Sequence, residues 1–146
     1  MTRSALWYCS PVGWNISSRM KASTVCNALR MAMWQRQPSS GLIVHSERGS
    51  EYASNKYRKL LEQNGFIGSM SRKGDCWDNS VAESFLSRLK EERVRWRHYQ
   101  TREEARQDIL DYIVMFYNSC RLHSTIGYVS PNQFEQRYWG QMKKVA

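Results

Sequence analysis

In "GLIVHSERGSEY", residues 41–52, an apolar run stops at a polar segment that contains Glu47. Leu42, Ile43 and Val44 are typical of a buried strand, and Gly49 lets the chain turn after it. We therefore predict a strand over residues 42–45, with Glu47 emerging into solvent at its end. Glu47 is thus a candidate functional carboxylate, and its role depends on which other acidic residues join it.

The segments around this strand alternate between helix and strand signals. A strand is predicted over residues 12–17, and Ser23 or Thr24 then caps a helix whose apolar stripe is Val25, Ala28, Leu29, Ala32 and Met33. Ser54 is the predicted cap of a second helix, which Gly65 ends before a third strand over residues 66–70. This βαβαβ order predicts an α/β fold with parallel strands and helical crossovers.

Residues beyond the loop at 72–77 are predicted to be helical. Asp78 or Asn79 caps the first of these helices, whose buried stripe is Ala82, Phe85, Leu86 and Leu89. Glu83 lies roughly 110° from the middle of that stripe, at about 100° per residue, so it borders the core face. A solvated glutamate on an ordinary amphipathic helix is the alternative interpretation.

Two further helices are predicted in the C-terminal part. Thr101 and Glu104 form a capping box at the start of the first, whose apolar stripe is Ala105, Ile109, Tyr112, Ile113 and Phe116. Ser130 and Pro131 begin the second, which is expected to end near Tyr138.

The charge of the chain is strongly positive and unevenly distributed. Lys and Arg number 22 against 13 Asp and Glu among 146 residues, giving a net charge of +9, and no acidic residue precedes Glu47. This balance favours an acidic partner, and nucleic acid ahead of a membrane because no apolar run of about 18 residues occurs. A merely basic soluble protein is the alternative.

The four cysteines are spread along the chain, at Cys9, Cys26, Cys76 and Cys120. No CxxC pair and no Cys/His cluster with ligand spacing occurs, so they are interpreted as reduced, mostly packing cysteines rather than a zinc site or disulfide framework. The apolar run at residues 5–9 is too short for a signal peptide. We expect a cytoplasmic protein without a membrane partner.

Glu47 and Glu83 form a candidate pair of carboxylates. The chain between them is long enough for a crossover that returns a helix beside the strand end. Such a pair is what two Mg²⁺ ions need, because hard oxygen ligands bridge metals roughly 3.5–4 Å apart and activate water or a 3′ hydroxyl for attack on a phosphodiester.

Three separated blocks carry a resemblance to a known family: "GLIVHSERGSEYAS" (41–54), "GSMSRKGDCWDNSVAESFLSRLK" (68–90) and "YNSCRLHSTIGYVSPNQF" (117–134). They resemble the C-terminal part of bacterial insertion-sequence transposases of the second-reading-frame type, which have a retroviral-integrase-like DDE core. The resemblance implies an RNase H-like integrase catalytic core, N-terminally truncated, with C-terminal helices. It also implies Mg²⁺ or Mn²⁺ as cofactor, DNA strand transfer as the reaction, and insertion-element ends and target DNA as partners.

The resemblance assigns Glu47 and Glu83 as catalytic residues and metal ligands. Glu83 matches the third acidic residue of the family, and Glu47 falls at the second, where the family has an aspartate. The first aspartate falls at Ala5 in an ungapped alignment, and no acid lies near it. The extra methylene of Glu47 moves its carboxylate by about 1.5 Å, and a misplacement near 1 Å can cost on the order of 100-fold in rate. We therefore expect weak metal binding and impaired catalysis.

The same comparison divides the chain and suggests its contacts. Residues 1–11 are an atypical N-terminal segment, residues 12–138 an incomplete catalytic core with its helical part, and residues 139–146 a basic tail. DNA contacts are expected from four basic residues: Arg72, Lys73, Lys90 and Arg93. The resemblance allows a homo-oligomer or pairing with a full-length transposase.

A basic strip with interleaved aromatic residues has two interpretations. It comprises Arg88, Lys90, Arg93, Arg95, Trp96, Arg97, His98 and Tyr99. The strip fits phosphate contacts with base stacking, but Glu91 and Glu92 interrupt it, so a solvated helix end is the alternative.

Asn118, Arg121 and His123 match a family motif whose role the residues do not reveal. A helix C-terminus with basic residues near its dipole is the structural alternative. His45 and Tyr52 are interpreted as packed supports of the site rather than catalysts.

Three functions from different classes remain open. An active recombinase requires metal-dependent chemistry, against which the missing first aspartate argues. A DNA-binding remnant or regulator of an intact transposase would bind DNA in a salt-dependent way without chemistry. A decayed reading frame would fold poorly and bind nothing specifically.

Overall fold

The computed structural model describes residues 10–71 and 80–145, which fall into two compact units. The first unit is Val12–Ser80, and the second is Val81–Ala146 together with Ser10 and Pro11. Several predictions concern residues outside the described ranges: Ala5, Cys9, Arg72, Lys73, Cys76, Asp78 and Asn79.

The first unit alternates helices and strands. Its elements are α1 (Ala22–Arg36), β1 (Ile43–Ser46), α2 (Asn55–Gln63) and β2 (Ile67–Met70). The two strands pair in parallel, with Ile43 opposite Ile67 and Ser46 opposite Met70. A parallel pair needs a crossover between its strands, and α2 supplies it. Both strands lie within one residue of their predicted bounds, and the parallel α/β pairing is confirmed.

The predicted ends of α2 are confirmed, whereas the predicted start of α1 is wrong. Ser54 accepts a hydrogen bond at 3.3 Å from the backbone N–H three residues on and begins α2, as predicted. Gly65 follows α2 with φ +66°, the left-handed conformation that ends helices. The predicted caps of α1, Ser23 and Thr24, are wrong, because α1 begins after Lys21 and both residues lie inside its first turn.

The strand predicted over residues 12–17 is also wrong, because this segment contacts α1 and does not join the sheet. A Cβ added at Gly13 would meet the carbonyl oxygen of Ala28 and lie 2.8 Å from the Cβ of Ala32. The absence of a side chain at Gly13 thus permits close approach to the helix. The described part of the unit has the order αβαβ rather than βαβαβ.

The core of the first unit lies between its two helices and one face of the sheet. Its buried residues are Val25, Cys26, Tyr57, Leu60, Leu61 and Phe66. Cys26 is 0% exposed, which confirms its packing role. The other face of the sheet is open, since Ile43 and Ile67 are 58% and 56% exposed.

The second unit is helical. Its elements are α3 (Ser80–Glu92), a 3₁₀ turn (Val94–Trp96), α4 (Arg102–Asp111), a π-helical segment (Tyr112–Tyr117), a second 3₁₀ turn (Ser124–Ile126) and α5 (Pro131–Val145). None of the helices in the described ranges is long and apolar enough to cross a membrane.

The starts of α4 and α5 follow the predicted capping signals. Thr101 accepts a hydrogen bond from the N–H of Glu104 at 3.1 Å, and the carboxylate of Glu104 accepts one from a preceding backbone N–H at 2.7 Å. Ser130 and Gln133 exchange a similar pair at the start of α5. The predicted end near Tyr138 is wrong, because the helix continues to Val145 and tolerates Gly140 in its interior.

The π-helical segment alters the predicted stripe that follows α4. Tyr112 and Ile113 are buried as predicted, but Phe116 is 45% exposed and Tyr117 is buried in its place. The N–H of Asn118 bonds the carbonyl of Ile113, an i→i+5 contact, so the apolar face shifts by one residue.

The buried stripe of α3 is narrower than predicted. Leu89 is buried and Phe85 is half-buried, whereas Ala82 and Leu86 are exposed. A stripe of this width is typical of a helix that packs one edge against its neighbours.

Candidate functional site

Glu47 directly follows β1 and is exposed, where the sequence predicts it. Its neighbour Tyr52 packs edge-on against Tyr57, with ring centroids 5.3 Å apart. Burial, and then the negative charges of Glu47 and Glu51, raise the pKa of the Tyr52 phenol. Its ring contact with Tyr57 makes Tyr52 a packed support for the segment that carries Glu47.

His45 ties the two strands together beside this segment. Its Nδ1 lies 3.0 Å from the hydroxyl of Ser69, and its Nε2 lies 3.0 Å from that of Ser71. The Ser71 hydroxyl also donates to the carbonyl of Ser46 at 3.3 Å. Both ring nitrogens are engaged, so His45 serves as a strand-bridging residue in this arrangement.

Glu83 lies in the first turn of α3 and is exposed. Glu47 belongs to the first unit and Glu83 to the second, so their pairing stays a prediction. Within residues 10–71 and 80–145, no three His, Cys, Asp or Glu side chains form a group that could hold a metal ion. Glu47 and Glu83 have the hard oxygen ligands that divalent ions prefer, and their convergence on one metal site stays a prediction.

Arg93, a predicted DNA contact, is bound to Asp108. Its Nε lies 3.0 Å from both carboxylate oxygens and its Nη2 lies 2.6 Å from Oδ1. Arg97 at 2.7 Å and the hydroxyl of Tyr99 at 2.8 Å also contact this carboxylate. A phosphate would have to compete with Asp108 for Arg93, whereas Lys90 is exposed in the last turn of α3.

Burial and hydrogen bonding act in opposite directions on Asp108, which is 8% exposed. Burial raises its pKa. Hydrogen bonds from Arg93 and Tyr99 and the charge of Arg97 lower the pKa by more than burial raises it, so the net pKa lies below its usual range. Asp108 therefore stays ionised and joins the turn after α3 to α4. The DNA contacts predicted for Lys90 and Arg93 stay predictions.

Arg121 clamps the end of α3. Its guanidinium forms a two-pronged contact with Glu92, at 2.7 Å from Nη2 and at 3.0 and 3.1 Å from Nε. The hydroxyl of Tyr112 donates to the same carboxylate at 2.7 Å. The hydrogen bond from Arg121 is the main cause that lowers the pKa of Glu92. The family-motif arginine thus has a structural partner on α3.

Tyr117 connects the same motif to the first half of α3. Its ring lies edge-on to Phe85 at 4.9 Å and edge-on to His123 at 4.9 Å, and Arg121 lies 5.6 Å above its centroid. The π-helical turn makes this possible, because it brings Tyr112 and Tyr117 to the same side, with centroids 6.0 Å apart.

Two buried polar atoms of the motif have no hydrogen-bond partner among the described residues, Asn118 Oδ1 and His123 Nε2. The Asn118 amide N–H₂ donates to the carbonyl of Pro11 at 3.2 Å. Burial, and then the charge of Arg121, lower the pKa of His123, so its neutral form is favoured.

Sequence reasoning missed Glu92, Asp108 and Tyr112 as partners of the basic residues. Asp108 carried a usable signal, because it lies three residues after Ala105 and so shares the face of the predicted apolar stripe. Glu92 carried no signal, since it looked like an interruption of a basic strip.

Two family profiles, both described as integrase core domain, match this chain, one over residues 9–76 and the other over residues 83–138. The chain belongs to the integrase core domain family. The boundary between the two units, at Ser80 and Val81, falls in the short interval between the two integrase core matches.

Curated relatives of this integrase core chain are transposases. The transposase InsF for insertion sequence IS3A of Escherichia coli (strain K12) is 42% identical over 132 residues, which are 90% of this chain and 46% of that protein. The transposase for insertion sequence element IS904 of Lactococcus lactis subsp. lactis (strain IL1403) is 45% identical over 125 residues, 86% of this chain and 49% of that protein. The chain spans about half the length of these relatives.

A solved structure supports the fold of the integrase core. A chain in the cryo-EM structure of the simian T-cell lymphotropic virus intasome, in complex with PP2A regulatory subunit B56 gamma, matches with a TM-score of 0.61 at 12% identity. The match covers 81% of this chain and 41% of that chain. Together with the family profiles, it confirms the predicted RNase H-like fold class.

Proposed function

We propose that this chain acts in DNA transposition by binding DNA, and that its own carboxylates do not support strand transfer without a further acidic residue. The observation that carries the DNA part is the 42–45% identity to insertion-sequence transposases over most of the chain. The net charge of +9 supports it, because Lys and Arg contacts to phosphates supply sequence-independent affinity. Insertion-element ends and target DNA are the proposed ligands.

The number and the length of the acidic side chains support impaired catalysis. The integrase and transposase family implies a divalent metal, Mg²⁺ or Mn²⁺, and this chain would contribute Glu47 and Glu83 as ligands. No Asp or Glu precedes Glu47 in this sequence, and a longer side chain stands where the family has an aspartate. A third ligand would have to come from another chain or segment.

A nicking and strand-transfer assay on labelled element-end DNA, in Mg²⁺ and in Mn²⁺, tests both parts. Glu83→Ala is compared with Glu91→Ala, an exposed glutamate on the same helix. We expect salt-sensitive binding and no cleavage by all three proteins. Cleavage by the wild type that is lost only in Glu83→Ala would contradict the impaired catalysis. A folded chain that binds no DNA would contradict the DNA-binding function.

A second candidate function is regulation of an intact transposase. It is favoured because a chain that binds the same DNA ends but lacks one acidic position would compete without reacting. Adding this chain to a strand-transfer reaction of a complete relative should reduce product in proportion to the added chain. An unchanged product yield at excess chain would contradict regulation by competition or by pairing with the full-length protein.

A further inference from the structure

We infer that the turn between α3 and α4 is a stacking platform for an unpaired DNA base, with Trp96 as the platform. The inference rests on the proposed DNA-binding function and names a contact within it. Trp96 is 76% exposed, although tryptophan side chains are highly buried on average. Its indole N–H donates to the backbone carbonyl of Glu91 at 2.7 Å. This bond fixes the ring while leaving most of its surface accessible.

The turn that carries Trp96 is anchored at both ends. Arg93 lies immediately before the Val94–Trp96 turn and Arg97 immediately after it, and both guanidinium groups bind Asp108 of α4. The hydroxyl of Tyr99 adds a third bond to that carboxylate at 2.8 Å. A rigid turn loses little conformational freedom when a ligand stacks on it, so less of the contact energy is lost to ordering.

The charge around Trp96 favours an anionic partner. The exposed basic residues near it in sequence are Arg88, Lys90, Arg95 and His98. Two acids of the region are neutralised within the protein, since Glu92 pairs with Arg121 and Asp108 with two arginines, and the exposed Glu91 is outnumbered by these basic residues. The same basic surface of a second copy would be repelled at this site, so charge complementarity favours an anionic occupant.

A nucleic acid supplies both a flat aromatic group and negative charge. Successive bases stack on aromatic side chains while basic groups follow the backbone, and every base has a π-face, so the contact is tolerant of sequence. Bases inside a duplex are already stacked on each other, so the ligand class is an unpaired nucleotide with its flanking phosphates.

Stacking and charge contacts can be separated by their salt dependence. Binding of the full chain to a labelled single-stranded oligonucleotide and to the matching duplex is measured by fluorescence anisotropy over a series of salt concentrations. Trp96→Ala should weaken single-strand binding on the order of 10-fold without changing the slope of log affinity against log salt. Arg95→Gln should reduce that slope by about 0.7.

Three control variants make the test specific. Trp34→Ala removes an equally exposed tryptophan, at 77%, from the first unit and should change neither quantity. Trp96→Phe should retain most of the affinity because it retains a stacking surface, whereas Trp96→Leu should lose it. These two substitutions decide the matter if Trp96→Ala fails to fold.

The outcomes separate this inference from the function on which it rests. A wild-type chain that binds neither DNA overturns the proposed function. A wild type that binds while Trp96→Ala, Trp96→Leu and Trp34→Ala all match it overturns the platform alone. A change in self-association by Trp96→Ala at unchanged DNA affinity would assign the residue to a protein contact and also overturn the platform.

Discussion

The guanidinium group of Arg121 contacts both Glu92 of α3 and the ring of Tyr117, so its removal should lower the stability of the second unit. Arg121→Ala leaves the carboxylate of Glu92, whose side chain is 30% exposed, without its cationic partner. We expect the free energy of unfolding to fall by about 2 kcal/mol. Urea denaturation followed by circular dichroism measures it. Arg106→Ala, at an exposed position on α4, should change it by less than about 0.5 kcal/mol. Equal effects of the two substitutions would refute the clamp.

Because of His123, we expect the free energy of unfolding to depend on pH even above the pH range in which Asp and Glu titrate. Its folded-state pKa is lowered by burial and by Arg121, so the folded chain resists a proton that the unfolded chain accepts. Stability is therefore fully present above the unfolded pKa near 6.5 and falls as pH drops below it. Thermal melting between about pH 7.5 and 5 should show this decline. His123→Phe keeps a ring against Tyr117 and should flatten it, and an equally steep decline in the variant would contradict the assignment.

Single residues were predicted from sequence where the signal was local. Ser54, Thr101 and Ser130 were identified as caps because each bonds a backbone N–H only three residues away. The partners of Arg93 and Arg121 lie 15 and 29 residues away, and no local pattern encodes such distances. The motif was therefore visible while its role was not.

Because of the π-helical segment, we expect a substitution at Tyr117 to destabilise the protein more than one at Phe116, the reverse of what an α-helical stripe would give. Tyr117→Ala removes a buried ring with contacts to Phe85 and His123 and should cost about 3 kcal/mol of stability. Phe116→Ala removes a ring that is 45% exposed and should cost less than about 1 kcal/mol. Equilibrium urea unfolding compares them. The reverse order would mean that the segment is an ordinary α-helix.

The helices and strands were predicted well where the hydrophobic pattern and the order of elements along the chain indicate the same structure. The strands β1 and β2 follow from short apolar runs with Gly65 before the second, and their parallel pairing follows from the helix between them. Two of the wrong predictions have different causes: a tertiary contact overrides the strand pattern in one, and a change of helical period alters the other. The segment containing Gly13 packs on α1, and the phase of Phe116 was read with the α-helical period.

The proposed metal deficiency can be tested on the molecule as a whole by restoring acidic groups. Ala5→Asp combined with Glu47→Asp would supply the two aspartates of the family pattern, and Mg²⁺ affinity should rise measurably over the wild type. Isothermal titration calorimetry with Mg²⁺ measures it, with circular dichroism as the check on folding. Ala5→Asn with Glu47→Asp is the control that lacks the added charge. A folded double variant with unchanged affinity would mean that these positions do not converge on one site.

The candidate site could be predicted only in part because its two proposed carboxylates, Glu47 and Glu83, belong to different units. Glu47 lies at the end of β1 and Glu83 in the first turn of α3, where local patterns predict them. The number of residues between Glu47 and Glu83 allows a crossover that brings them together, but it does not determine the distance between their carboxylates. Their pairing therefore depends on the arrangement of the two units, which no local periodicity encodes.

The open face of the two-stranded sheet bears on how this protein must be handled in the laboratory. Ile43 and Ile67 sit side by side in the parallel register with more than half of each side chain exposed. Adjacent exposed aliphatic groups promote colloidal association as concentration rises, and salt used to weaken DNA contacts would strengthen this attraction. A preparation freed of nucleic acid by high salt should therefore be the one most prone to precipitate on storage.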